Sequence, residues 1–256
     1  MRELKGLSEA KSFIRLAIYA GRLQIKNGAE IYRAEDTILR ICNSASNISQ
    51  VEAHVLPSGI FVSFEFNNEI LTVYKSVGSP ETNMDNIHAV NSFSRLFVQS
   101  DMTIETGFSI LDDIAADEER PPWQFPIYGG FSGGFFAILF GGNGQDFIGA
   151  FITTFIASWI MQYTSRYKLN FVVNNFIGAF SITLITLGLY ALKIVHSLDA
   201  AIIGSIMILV PGLVATNAIR DIMNSDFLSG LVGLTKAVFI ALGIAIGVGV
   251  VLRFMR

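Results

Sequence analysis

The sequence predicts an α-helical multi-pass membrane protein, with about five transmembrane helices behind an N-terminal soluble α+β domain. Three observations carry that fold class. Hydrophobic residues make up 52% of the 256 and mean hydropathy is +0.52, too apolar for an average soluble domain of this length. Charge is unevenly placed. Residues 1–120 hold 11 Lys and Arg against 17 Asp and Glu, net −6, whereas residues 121–256 hold 7 Lys and Arg against 4 Asp, net +3, and no Glu follows Glu119. The apolar pattern also changes along the chain, helical at first, then alternating, then in long runs.

The same features exclude several classes. An acidic N-terminal half argues against nucleic acid, which requires clustered positive charge. Cys42 is the only cysteine, so no internal disulfide or Cys-based metal cluster can form. His54, His88 and His196 lack ligand spacing, and core or surface roles outweigh metal binding. No metal, cofactor or catalytic residue is expected: there is no Walker motif, no Ser-His-Asp sign and no HExxH. Arg2, Glu3, Lys5, Glu9, Lys11, Arg15 and Arg22 leave no apolar core for a signal peptide, which assigns the first half to the cytoplasm.

Taken in order, residues 8–26 form a helix with Ile14, Ile18, Gly21 and Ile25 on one stripe. After Asn27-Gly28 a second helix places Ile31, Ala34, Ile38 and Ile41 on one face and Glu30, Arg33, Glu35, Asp36 and Arg40 on the opposite one. The period then becomes two: Val51, Ala53, Val55; Ile60, Val62, Phe64, Phe66; Ile70, Thr72, Tyr74. With turns at Pro57-Ser-Gly59 and Asn67-Asn68, this is a three-stranded antiparallel meander. Helices follow at about 84–99 (Ile87, Val90, Phe93, Phe97) and 102–116. The acidic run from Asp112 to Pro121-Pro122 ends the soluble domain at residue 122, and Trp123 suits a membrane interface.

Residues 123–256 then hold five candidate spans, near 123–141, 147–163, 169–192, 196–214 and 228–252. About 20 residues at ~1.5 Å each cross a ~30 Å hydrocarbon core; four spans with one re-entrant segment is the alternative. Brief links at Gly142–Asp146, Thr164–Lys168 and Lys193 imply antiparallel neighbours. Arg166, Lys168 and Arg220 fall inside and Lys193, Arg253 and Arg256 outside, so orientation rests mainly on the soluble domain. Gly129/Gly133, Gly130/Gly134 and Gly243/Gly247 are small-xxx-small pairs, fit for packing within one subunit or between subunits.

The polar stretch Pro211–Gly230 lies between two apolar runs. It opens on the helix-breaking Pro211-Gly212 and carries Asn217, Arg220, Asp221 and Asp226. A broken, polar connector of this kind either holds a small hydrophilic solute or is a cytoplasmic loop. Arg220 suits a carboxylate and Asp221 an ammonium or a coupling proton. Asn174 and Asn175 in the third span serve either a solute or interhelical packing. Lys236 faces a substrate, pairs with Asp221 or Asp226, or snorkels to the interface. Asp146 is expected to be simply solvated.

At this point the chain resembles the threonine/serine exporter family. The residues that carry the resemblance are Asn27-Gly-Ala-Glu-Ile-Tyr-Arg-Ala-Glu-Asp-Thr37, Leu56-Pro-Ser-Gly-Ile60, Val90-Asn-Ser-Phe-Ser-Arg95, Pro211-Gly-Leu-Val-Ala-Thr-Asn-Ala-Ile-Arg-Asp221 and Leu228-Ser-Gly230. The match is to the split-subunit half with an N-terminal cytoplasmic domain, the YjjP-like half. The resemblance implies an inner-membrane location and a second, smaller membrane subunit that supplies the remaining helices. It also implies export of threonine, serine or succinate, driven by ion gradients rather than ATP. Pro211, Gly212, Asn217, Arg220, Asp221 and Gly230 match the family pattern, as does the Asn27–Thr37 motif with Glu30, Arg33, Glu35 and Asp36. The chain departs after Gly230, where Leu231–Lys236 lacks the Arg expected near residue 233.

Two readings follow. One is a secondary exporter of a small hydrophilic metabolite, with Asn217, Arg220 and Asp221 at the cytoplasmic mouth and Asn174, Asn175 and Lys236 deeper. The other is a non-transporting membrane sensor or assembly subunit whose soluble domain binds the ligand. An intramembrane enzyme is disfavoured, because no nucleophile–base or metal constellation is visible.

Overall fold

The structure, a computed structural model, describes residues 2–78, 82–116, 121–167 and 169–254. Asp117–Arg120 of the expected boundary, and Lys168 and Arg256 of the orientation argument, lie outside them. In chain order the elements are α1 (Leu7–Lys26), α2 (Ile31–Cys42), β1 (Ser49–Leu56), β2 (Gly59–Phe66), β3 (Glu69–Ser76), α3 (Met84–Gln99) and α4 (Ile104–Ala116). Next come α5 (Gln124–Leu139), α6 (Gly144–Ser165), α7 (Phe171–Ala191), α8 (Leu198–Ile206) with a 3-10 turn at Met207–Leu209, α9 (Gly212–Met223) and α10 (Phe227–Arg253). They divide into two compact units: Met1–Glu118 with Thr216–Gly233, and Glu119–Ala215 with Leu234–Arg256.

In the first unit the helical stripes are buried as their spacing requires. Phe13, Ile14, Ala17 and Ile18 of α1 and Ile31, Ala34, Ile38 and Ile41 of α2 are inside. Gly28, at φ +87°, turns the chain between the two helices, a conformation glycine adopts without a Cβ penalty. The strands form one antiparallel sheet in the order β1-β2-β3. Ile60, Val62, Phe64 and Phe66 of β2 face the core with Val55 of β1.

The third strand presents the opposite face from the one expected. Ile70 and Tyr74 are exposed, and Leu71 and Val73 pack on the core. Register explains it: Val62 pairs with Val73 and Phe64 with Leu71, while Phe61 pairs with Tyr74 and Ser63 with Thr72. Paired residues share a face, so the inward residues of β2 select the odd positions of β3. Phe61 and Tyr74 instead meet on the outer face, ring centroids 4.6 Å apart. Asn83 caps α3 by accepting from the Asp85 and Asn86 N–H groups, and Ile87, Val90, Phe93 and Phe97 are buried from it.

The second unit holds α6, α7 and most of α10, which at 22, 21 and 27 residues are long and apolar enough to cross a membrane. The pair Leu198–Leu209 and Gly212–Met223, bent by 55°, makes a fourth if it is one broken span. The expectation of five thus becomes three to four by length and composition. The first expected span is α5, whose 16 residues reach only ~24 Å at 1.5 Å per residue. A core of Ala157, Ala179, Ile182, Leu209, Ile240 and Ile244 holds this unit, and Phe135, Leu184, Phe239 and Ile246 are exposed, as lipid-facing positions are. The small-xxx-small pairs are used within the chain. A Cβ at Gly129 would lie 2.7 Å from Ser158 Oγ of α6, and one at Gly247 would lie 2.7 Å from the Phe176 carbonyl of α7.

Candidate functional site

The first unit gathers its charged motif at one place, the four-residue connector between α1 and α2. Asn217, Arg220 and Asp221 fall at i, i+3 and i+4 on α9 and so share a helix face. All three reach the connector. Asn217 Nδ2 donates to the Gly28 carbonyl at 3.0 Å, and Arg220 Nη1 pairs with Glu30 Oε1. The Ile31 N–H donates to Asp221 Oδ1 at 3.3 Å.

The last bond has a clear local cause. Ile31 opens α2, and Glu30 at its N-cap makes no side-chain capping bond. The first N–H groups of a helix lack intrahelical acceptors and carry partial positive charge. Asp221 supplies from 190 positions away the carboxylate that the cap position does not.

Glu30 is 7% exposed and lies between two arginines. Its Oε2 is 3.2 Å from Arg33 Nε, while Oε1 takes Arg220. A buried carboxylate requires such partners. The Arg220 side chain is 52% exposed.

The rest of the motif is structural or faces elsewhere. Asn27 Nδ2 donates to the Leu23 carbonyl at 2.7 Å, and its Oδ1 accepts from Asn86 Nδ2 at 3.4 Å. Glu35 Oε1 accepts the Val55 N–H at 3.0 Å, tying α2 to β1. Burial, with Asp226 nearby, pushes the Glu35 carboxyl above its ordinary range, against the Val55 N–H and His54. Asp36 pairs with Arg40 on its own helix. Burial also pushes the Cys42 thiol up to about 12.

Asn174, Asn175 and Lys236 belong to the second unit and meet near neighbours there. Asn174 Oδ1 accepts from Thr164 Oγ1 at 2.7 Å, and Asn175 Nδ2 donates to the Phe171 carbonyl at 2.8 Å. Lys236 Nζ stands 5.8 Å from the Phe171 ring centroid. Pro211 follows the 3-10 turn, and the Ala215 N–H returns to its carbonyl at 2.9 Å.

The sequence reading misses Asp146, which is buried rather than solvated. Its Oδ2 accepts the Asn143 N–H at 2.9 Å, and Oδ1 accepts those of His196 and Ser197 at 2.7 Å each. The available signal was Asn143-x-x-Asp146 before an apolar run, a capping box. Buried hydroxyls were missed too: Thr186 Oγ1 lies 3.3 Å from Thr153 Oγ1, and Ser158 Oγ has no hydrogen-bond partner among the described residues. Among the described residues no group of three or more His, Cys, Asp or Glu is arranged to hold a metal ion.

Comparison with known proteins places these features in context. The model of the ThrE family, described as "Putative threonine/serine exporter", matches residues 15–255. A "Probable succinate transporter subunit YjjP" of Klebsiella aerogenes is 24% identical over 251 residues, covering 94% of this chain and 93% of the relative. The protein of the same description from Escherichia coli strain K12 is 23% identical over 250 residues, with the same coverage of both chains. No solved structure matches the chain.

Proposed function

Because the chain belongs to the ThrE threonine/serine exporter family, we propose that it is one subunit of a secondary active exporter of a small hydrophilic metabolite. Family and apolar helices together make it a multi-pass membrane protein. In this reading the substrate is threonine, serine or a dicarboxylate such as succinate, and an ion gradient drives it. A second, smaller membrane subunit completes the path in the inner membrane. Residues 1–122 lie in the cytoplasm, residues 123–256 form the membrane domain, and Asn174, Asn175 and Lys236 line the deeper path. The curated relatives' description as subunits supports the partner.

The observation that carries the reading is the Arg220–Glu30 pair. A guanidinium half exposed at the end of a polar helix, already holding a carboxylate, has the chemistry to hold a substrate's carboxylate. Glu30 then occupies the place of the substrate group, and loading exchanges one carboxylate for another at Arg220. Asn217 and Asp221 keep the helix aligned on the connector while that exchange occurs.

The test is efflux of preloaded threonine, serine and succinate from cells lacking their own exporters. The chain is expressed alone, with the smaller subunit, and with that subunit plus Arg220→Ala. Efflux only with the partner, lost in the mutant, supports the reading. No change in any of the three solutes removes it, and efflux that survives Arg220→Ala removes the site.

A second reading, a non-transporting sensor or assembly subunit, is favoured by one observation. Asn217, Arg220 and Asp221 are each satisfied by the α1–α2 connector, as a structural hinge would require.

A further inference from the structure

The exporter reading leaves two stretches without a role: Tyr32–Asp36 in α2 and Asn91–Arg95 in α3. They form facing walls of one cleft. On α2, Arg33, Asp36 and Arg40 fall at i, i+3 and i+7, a single stripe; on α3, Asn91 and Arg95 are one turn apart. With Gln24 of α1, Tyr32 and Ile87 they enclose about 250 Å³. That is below the ~300–1,000 Å³ of sites for drug-sized ligands and suits a metabolite of a few carbons.

The cleft's charge is one-sided, with three guanidiniums and a single carboxylate. Asp36 is taken by Arg40, and Arg33 gives its Nε to Glu30. Arg40 Nη1 also donates to Ser94 Oγ at 3.2 Å, which fixes its plane against α3. The Arg95 guanidinium is exposed and has no partner among the described residues. Gln24 adds a second, independent observation. It is 2% exposed, its Nε2 donates to Thr37 Oγ1 at 3.0 Å, and its Oε1 is buried with no hydrogen-bond partner among the described residues. A buried acceptor left open is unfavourable until a donor reaches it.

We propose that this cleft binds a small dianion carrying a hydroxyl, a hydroxydicarboxylate in class. Arg95 and Arg40 take the carboxylates, and Gln24 Oε1 accepts from the hydroxyl. The site is separate from the Arg220–Glu30 pair and does not depend on the chain transporting anything. Arg33 lines the cleft but keeps its Nε on Glu30, so the carboxylate contacts of the proposal are those of Arg95 and Arg40 alone.

The experiment uses the full chain purified in detergent, with L-malate, succinate and L-threonine as probes. Binding is read by calorimetry and by amide exchange in α2 and α3. Malate should bind saturably and protect both helices. It should bind roughly tenfold tighter than succinate, which has the charges but no hydroxyl, and threonine should bind more weakly than either. Arg95→Ala, at an exposed position that leaves the core untouched, should weaken malate at least about tenfold, and Arg95→Glu should abolish binding. Arg220→Ala should leave it unchanged. Malate without protection of α2 and α3, binding indifferent to Arg95→Ala, or binding lost in Arg220→Ala overturns the proposal. Failure of efflux would remove the exporter reading and leave this site standing.

Discussion

Arg220 closes an ion pair on Glu30 across 190 positions of sequence, and Glu30 keeps a second arginine, Arg33, on its other oxygen. The pair is therefore a shared one, and losing Arg220 does not strand a buried charge. Arg220→Ala should lower stability by about 1 kcal/mol or less, as half-exposed pairs do, while abolishing efflux. Denaturant unfolding in detergent beside the efflux assay separates the two effects. A variant that is inactive because it is unfolded would sink the transport role.

Asp221 should behave as a helix cap delivered from a distance. Asp221→Ala removes the acceptor of the Ile31 N–H, at a cost of about 0.5–2 kcal/mol. Hydrogen exchange should speed up at the first turn of α2 and leave its last turn unchanged. Equal acceleration along the whole helix would contradict a capping role.

Asp146 accepts three backbone N–H groups while buried. An Asn there keeps one acceptor and turns a donor toward other donors. Asp146→Asn should destabilise the chain by about 2–3 kcal/mol, seen as a lower thermal midpoint in detergent. An unchanged midpoint would mean that water replaces the lost oxygen.

Two glycines of α10 should respond in opposite directions. A Cβ at Gly247 meets the backbone of α7, whereas one at Gly249 meets nothing within 4 Å. Gly247→Val should cost about 1–3 kcal/mol or prevent folding, whereas Gly249→Ala should stabilise by about 0.5–1 kcal/mol. Yield of monodisperse protein and thermal midpoint report both.

Glu35 gives a pH signature. Burial raises its carboxyl pKa in the folded chain, so its contribution to stability is full below the unfolded value of ~4.3. That contribution is lost as pH rises through the raised folded value. Glu35→Gln keeps an acceptor for Val55 and removes the ionisation. The variant should gain stability relative to the parent as pH goes from 4 to 8, and a constant difference across that range would falsify the assignment.

Local periodicity carried most of the first unit. The stripes of α1, α2 and α3 and the two turns of the meander follow from short-range spacing, and all lie where the sequence predicts. β3 did not, because Ile70-Leu-Thr-Val-Tyr74 is apolar on both faces and only pairing with β2 chooses between them. The first expected span came out short, because Gly141-Gly142 and the polar Asn143–Asp146 end the apolar run of α5 after 16 helical residues. Arg220 and Asp221 stood out as charges beside apolar runs, but their partners lie in a motif almost a whole chain away. Asp146 was misjudged because the capping box with Asn143 accounts for only one of its three N–H partners, and those of His196 and Ser197 come from a distant connection that local sequence does not reveal.

The first unit is completed by residues that are synthesised late. Its N-terminal part ends at Glu118, and Thr216–Gly233 belong to the same unit. At ~5–20 residues per second, the roughly 100 residues between them take about 5–20 s to leave the ribosome. Throughout that interval Glu30 has Arg33 but not Arg220, and the first N–H of α2 has no carboxylate. The nascent N-terminal half must wait, incomplete, while the apolar helices are made. A fragment ending at residue 122 is that waiting intermediate in isolation, so translation of this chain times its own maturation to its final stretch.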